Sequence, residues 1–222
     1  MSTSPLPERP LRRDAERNRQ RILEVAREAF AEDGLAVTLD EIARRAGVGV
    51  GTVYRRFPDK EQLIDALFEE RIGEMVALAE AALRCEDAWA GLVSFLESAT
   101  AAHADDRGLK EVALSGVHGL GRVARARDLM APLVTRLVAR AQEQGQLRPD
   151  LQPTDLPLLQ LMLGSLSECT RDVDPEIWRR YLGILTDGLR TRRDAPTPLE
   201  PMGLEPEQVQ RTMRCWRPST AR

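Results

Sequence analysis

The chain has 222 residues, 42% of them hydrophobic and 30% charged, with a net charge of −3. That length holds one or two domains with a real core. No apolar run approaches the roughly 20 residues of a membrane span, and the first 13 residues carry no apolar segment of a secretory signal. Cys85, Cys169 and Cys215 are far apart and odd in number, so a reduced cytoplasmic protein is expected.

Aromatics make up only 4% of the chain, and its apolar side is Ala, Leu and Val, which favours helices over sheets. The charge is uneven. Between Arg9 and Arg21 six arginines face only Asp14 and Glu16, leaving the remainder acidic. A basic arm on a mildly acidic body suits a protein that touches nucleic acid at one end. Residues 1–12 hold three prolines and no pattern and are expected to be disordered. A first helix follows over 14–33, with Ile22, Val25, Ala26, Ala29 and Phe30 on one face and Gly34 as its stop. Thr38 opens the next helix as an N-cap, and Glu41 completes a capping box. Leu39, Ile42, Ala43 and Ala46 form its apolar face, and Gly47 ends it. A second short helix runs from Val50 to Arg56, with Val53 and Phe57 inward and Thr52, Tyr54, Arg55 and Arg56 outward. Pro58 closes it, and Asp59 with Gln62 caps a long helix over 59–84, about 39 Å at its helical rise.

Beyond Cys85 the pattern stays helical. Asp87 caps a helix carrying Trp89, Leu92, Phe95 and Leu96, and a shorter helix spans 106–115. Glycines 116, 119 and 121 predict a loop. Another helix carries Leu129, Leu133, Leu137 and Val138, with Pro132 either kinking it or marking its start. Gly145 closes it, and the last two helices cover 155–169 and 175–192. Leu158, Leu159, Met162 and Leu166 on the first, with Trp178, Leu182, Leu185 and Leu189 on the second, predict a dimer seam of four helices across a two-fold axis. Residues 194–222 are proline-rich and read as a loose tail with a short helix at 205–215, docked by Trp216. The domains are therefore a basic arm at 1–13, a head at 14–58, a connecting helix at 59–84, a body at 85–193 and the tail.

Two short helices about a glycine turn, the second bearing hydroxyls and arginines, make a helix-turn-helix. Duplex DNA needs this combination: a slim helix enters the major groove, arginines reach guanine edges or phosphates, and hydroxyls fix the register. A solvated helical hairpin is the plain alternative. The run resembles the TetR family of bacterial transcriptional regulators. The resemblance rests on Ile22, Ala26, Phe30 and Gly34, then Thr38, Ile42, Ala43, Ala46, Gly47 and Val48, then Gly51, Thr52, Tyr54, Phe57, Lys60 and Leu63. It covers roughly residues 17–64. The chain departs at Gly49, where the family usually has serine, and at Val50, less polar than usual and suited to a thymine methyl. Residues 86–192 resemble the regulatory domain of one subgroup, through a Gln-x-x-Gly-x-Leu-Arg-Pro-Asp connector and a Trp-Arg-Arg-Tyr-Leu segment.

The resemblance implies an all-α protein, an N-terminal three-helix DNA-binding domain followed by a C-terminal helical ligand-binding and dimerisation domain. Its expected DNA-facing residues are Thr38, Val50, Gly51, Thr52, Tyr54, Arg55, Arg56 and Lys60. Of these, Tyr54, Thr38 and Lys60 hold phosphates, while Thr52, Arg55 and Arg56 divide base and phosphate contacts. The family also implies a small-molecule cavity in the body, for which Trp89, Phe95, His103, His118, Met130 and Cys169 are the candidate liners. The long connecting helix becomes the lever between ligand and operator. The partners are then an operator duplex, an unidentified effector and a second copy of the chain. No cofactor is implied. His103 and His118 lack metal-binding spacing, and no phosphate loop or nucleophile constellation appears, so an enzyme is not expected. The rival reading is a DNA-binding or protein-interaction module with no effector.

Overall fold

A computed structural model describes residues 8–105, 119–192 and 202–209, without the side chains of residues 8–13, 35, 103–105 and 119–120. Among the described residues every regular element is helical, and the one β-type pairing is an isolated antiparallel bridge between Leu147 and Arg190. The chain divides into two units, Met1–Ile72 with Asp106–Ala124, and Gly73–Asp105 with Arg125–Arg222.

The first unit holds α1 (Glu8–Asp33), a 3₁₀ turn (Gly34–Ala36), α2 (Leu39–Ala46), α3 (Val50–Arg56) and the first half of α4 (Lys60–Arg84). Helix α1 begins six residues before the expected 14, so residues 8–12 are helical rather than disordered. Pro10 stands in the first turn, where a missing N–H costs no intrahelical bond. Gly34 ends α1 by taking a φ of 58°. Ile22, Ala26 and Phe30 of α1 meet Ile42 and Ala46 of α2, Val53 of α3 and Leu63 and Leu67 of α4 in one buried cluster. Polar bonds tie α1 to α4 as well: Gln20 Nε2 and Arg27 Nη2 both donate to the Glu70 carboxylate, at 2.8 and 3.1 Å. The start of α4 is capped as expected, since Asp59 Oδ1 accepts from Gln62 N at 2.8 Å.

The second unit contains the rest of α4, α5 (Ala88–Asp105), most of α6 (Gly119–Glu143), α7 (Asp155–Thr170) and α8 (Trp178–Leu189). Helix α6 already runs at Gly119 and Gly121, where a loop was expected, and it continues through Pro132, which removes one internal bond without ending it. The helix expected at 106–115 and Gly116 lie outside the described residues, as do Cys215 and Trp216 of the tail. The described part of that tail, residues 202–209, is helical at 206–209. Trp89, Leu92 and Leu96 of α5 pack with Leu137 and Ala141 of α6, Leu163 of α7 and Trp178 of α8. One polar link crosses this core. Thr100 Oγ1 donates to Gln160 Oε1 at 2.9 Å, while Gln160 Nε2 donates to the Leu96 carbonyl at 3.0 Å.

The ends of α4 and α5 are held by side chains distant in sequence. Asp87 Oδ1 accepts from Ala90 N at 3.0 Å, as its position predicts. Gln144 Oε1 accepts from Ala88 N at 2.8 Å and Gln146 Oε1 from Trp89 N at 3.2 Å, so three donors at the start of α5 are satisfied. Arg140 donates to the carbonyls of Leu83 and Cys85 at the end of α4. The connector after α6 turns at Gly145, whose φ is 71°. Gln142 Nε2 then donates to the Arg148 and Leu151 carbonyls at 3.1 and 3.0 Å.

Candidate nucleic-acid interface

The turn between α2 and α3 is built from local chemistry. Thr38 Oγ1 accepts from Glu41 N at 3.2 Å, fixing the start of α2. A hydroxyl that accepts this bond keeps its own proton to donate elsewhere. At the other end Gly47 has a φ of 64°, a region that costs other residues about 1–2 kcal/mol. Its N–H donates to the Arg44 carbonyl at 3.2 Å, and Val48 N donates to the Ala43 carbonyl at 3.1 Å. This pair of bonds is a Schellman closure, with Val48 packed against the head cluster. Gly49 then caps α3 through its backbone alone, its carbonyl accepting from Thr52 N at 2.8 Å.

Within α3 only Val53 is buried, and Phe57 just beyond it is buried too. Val50, Gly51, Tyr54, Arg55 and Arg56 are exposed and Thr52 is half-buried. Six of the eight expected DNA-facing residues thus lie on one small helix, while Thr38 caps α2 and is exposed. Lys60 sits differently, half-buried at the start of α4 with Nζ 5.6 Å over the Phe30 ring. Burial lowers its ammonium pKa, partly offset by Glu61.

Carboxylates of the head hold several of these donors. Asp40, in the first turn of α2, raises the Tyr54 phenol above its ordinary value, through hydrogen bonding first and charge second. Arg56 Nη2 lies 3.8 Å from Glu16 of α1, and Arg19 Nη1 approaches the same carboxylate at 3.5 Å. Glu41 binds Arg44 at 2.5 and 2.9 Å and Arg45 at 2.8 Å. Arg45 also reaches Glu32 at 2.9 Å and Asp33 at 2.6 Å. Hydrogen bonds from Arg44 and then Arg45 hold the Glu41 carboxyl down at about 2. The Glu41 pairs lie at helical i, i+3 and i, i+4 spacing and are legible in sequence. The partners of Tyr54 and Arg56 are not, because Asp40 and Glu16 sit on other helices.

The body residues are placed less uniformly. Trp89 and Phe95 are buried in the body core, and the Arg190 guanidinium lies 4.7 Å over the Trp89 ring. Met130 is half-buried against that core, and Cys169 is half-buried. His118 and the His103 side chain lie outside the described residues. The expected dimer seam separates into two sets. Trp178, Leu182 and Leu189 belong to the chain's own core, with Leu159, Leu166 and Leu185 packed against it. Leu158 and Met162 remain 60% and 58% exposed. Leu161, Tyr181 and Ile184, which flank these positions in sequence, are exposed as well. Each helix carries two apolar stripes, and the larger residues of α8 took the inward one.

Together these features define a helix-turn-helix head joined to an all-helical body. Residues 22–67 match the family described as bacterial regulatory proteins, tetR family, and residues 87–191 match the C-terminal domain of SbtR-like transcriptional regulators. A TetR transcription regulatory protein from Mycobacterium vanbaalenii is 36% identical, with a TM-score of 0.65, covering 82% of this chain and 100% of its own. TetR transcriptional regulator SCO0520 from Streptomyces coelicolor is 29% identical over 81% of this chain and 99% of its own, with a TM-score of 0.62. HTH-type transcriptional regulators of Staphylococcus aureus are 46% identical over 54 residues, 24% of this chain. That match spans 29% of their length. The chain belongs to the TetR family of bacterial transcriptional regulators, and its helix-turn-helix is a DNA-binding one.

Proposed function

We propose that the protein is a ligand-responsive repressor that binds a two-fold symmetric operator as a homodimer. Each α3 lies in the major groove of one half-site, and the two half-sites stand about 34–36 Å apart. Arg55 and Arg56 reach base edges and phosphates, with Thr52, while Tyr54, Thr38 and Lys60 grip the backbone. Val50 offers an apolar contact to a thymine methyl.

The observation that carries this reading is Gly51. Glycine inside a helix costs about 0.5–1 kcal/mol relative to alanine. A Cβ at Gly51 would meet nothing of the chain within 4 Å. With no side chain there, a nucleic-acid backbone could approach α3 closely at this exposed position.

The exposed faces of α7 and α8, with Leu158, Leu161, Met162, Tyr181 and Ile184, supply the seam between copies. An effector in the body that prefers one head spacing by a few kcal/mol releases the operator. Selection of bound fragments from genomic DNA, followed by anisotropy on the selected duplex, tests the reading. Arg55→Ala is expected to lose about 1–3 kcal/mol of binding and to relax preference at one base position. Unchanged preference at every position removes Arg55 from base readout. A metabolite screen by thermal shift, with operator release as readout, separates this reading from an effector-independent module.

A further inference from the structure

Among the described helices two cross the division between the units, α4 between Ile72 and Gly73 and α6 between Ala124 and Arg125. The first turns of α4 belong firmly to the head, because Leu63, Ile64 and Leu67 are buried in its core. The later turns of α6 belong as firmly to the body, through Leu137, Val138 and Ala141. Arg122 ties the start of α6 to the head. Its guanidinium donates through Nε to Asp65 at 2.7 Å and through Nη2 to Glu61 at 2.6 Å. Charge-assisted bonds of this length are among the stronger side-chain contacts. Arg140 makes the matching tie within the body, donating to the carbonyl of Cys85 at 2.8 Å and to that of Leu83. Arg122 and Arg140 stand eighteen residues apart, about five helical turns, and so share one face of α6. On α4, Asp65 and Leu83 stand eighteen apart as well.

We propose that Arg122 is a positioning residue for operator binding, the pin that makes α6 a second brace beside α4 between head and body. The inference rests on the reading that two copies of the chain grip two half-sites at once. With its side chain 5% exposed and its guanidinium shared by two carboxylates, Arg122 is not itself a DNA contact. A duplex of two half-sites is held tightly only if docking the first head leaves the second at the right spacing. Alone, α4 is a poor brace, because Gly73 stands in it at the division itself and glycine weakens a helix. A second helix, pinned in each unit, opposes bending there. The order is then present before DNA arrives, and binding does not have to create it.

The test uses the full chain and three duplexes made from a selected genomic site: the intact site, the site with one base pair inserted at its centre, and a single half-site. The insertion moves the second half-site by about 3.4 Å and turns it by about 35°. Anisotropy titrations compare wild type, Arg122→Met and Asp65→Ala. Arg122→Met keeps apolar bulk at the pin. Asp65→Ala removes the Nε bond from an exposed position and leaves Glu61 to the guanidinium, so a folded variant is in hand if Arg122→Met does not fold. In wild type the insertion is expected to remove most of the advantage of the intact site over the half-site. In Arg122→Met that advantage is expected to fall about three- to tenfold at the native spacing, and the insertion to cost correspondingly less. Asp65→Ala shifts both in the same direction by less. A loss of stability or of charge in the head alone weakens the half-site along with the intact site and leaves the spacing penalty as it was. A spacing penalty and an advantage equal to those of wild type in the folded variants overturn this inference alone. A wild-type chain that holds the half-site as tightly as the intact site overturns the two-copy reading itself.

Discussion

Arg122 donates through Nε to Asp65 at 2.7 Å from a side chain only 5% exposed, placing the first turn of α6 against the first turns of α4 within one unit. Nη2 of the same guanidinium reaches Glu61 at 2.6 Å. Burial works against the charge of Arg122, and the bonds to Glu61 and Asp65 outweigh it, so its pKa is raised. Arg122→Ala removes the cation that two carboxylates share. It is expected to cost about 1–3 kcal/mol in chemical denaturation, short of a fully buried pair because Glu61 and Asp65 stay half in water. Arg122→Met restores the apolar packing without the charge, so a loss equal to that of alanine identifies the ionic part as decisive.

Gly51 separates folding from binding. In Gly51→Ala the new methyl meets open space in the chain, so the head gains about 0.5–1 kcal/mol of stability. The same methyl stands where duplex DNA approaches, so operator affinity falls. Thermal unfolding and anisotropy on one preparation read the two opposite signs. A variant that is stabilised and binds normally places the duplex elsewhere.

The carboxyl of Glu41, held at about 2 by Arg44 and Arg45, gives the head a dependence on acid. Its folded pKa lies below the ordinary carboxylate value. The stabilisation is therefore complete above the unfolded pKa and is lost as pH falls through about 2. Glu41→Gln is expected to be less stable than wild type near neutral pH, with the gap closing in strong acid. Because the cluster is exposed, added salt narrows the gap as well. A difference independent of pH assigns the effect to packing.

The two stripes of α7 and α8 respond to different mutations. Leu158→Glu and Met162→Glu place charge on the outward face and are expected to shift sedimentation from dimer to monomer while the helical signal persists. Trp178→Ala opens the body core and costs about 3–5 kcal/mol of stability. Dissociation caused by Trp178→Ala at unchanged stability would move the seam to the inner stripe.

What was legible in the sequence follows how local each cause is. Thr38, Gly47, Asp59 and Asp87 act on residues three or four positions away, and the structure has each bond where the pattern predicts it. The choice between the stripes of α8 was not legible, because Trp178 and Tyr181 are both large and fall on helical faces that periodicity alone does not rank. Glycines 119 and 121 suggested a loop, yet helix propensity is a weak prior that the Arg122 contacts to α4 override. On the DNA side, the residue types of α3 indicated its outward face. The acids opposing Tyr54 and Arg56 became visible only once three helices were folded together.

The caps that Gln144 and Gln146 provide to the start of α5 have a consequence for synthesis. Those glutamines are translated 56 and 57 residues after the amides they satisfy. As the nascent chain leaves the ribosome, the α1 to α3 hairpin has all its closing bonds at hand, while α5 waits with open amides for the end of α6. Order at the start of α5 therefore waits until the end of α6 has been made. A chain truncated before Gln144 is expected to present a finished reading head on an unfinished remainder.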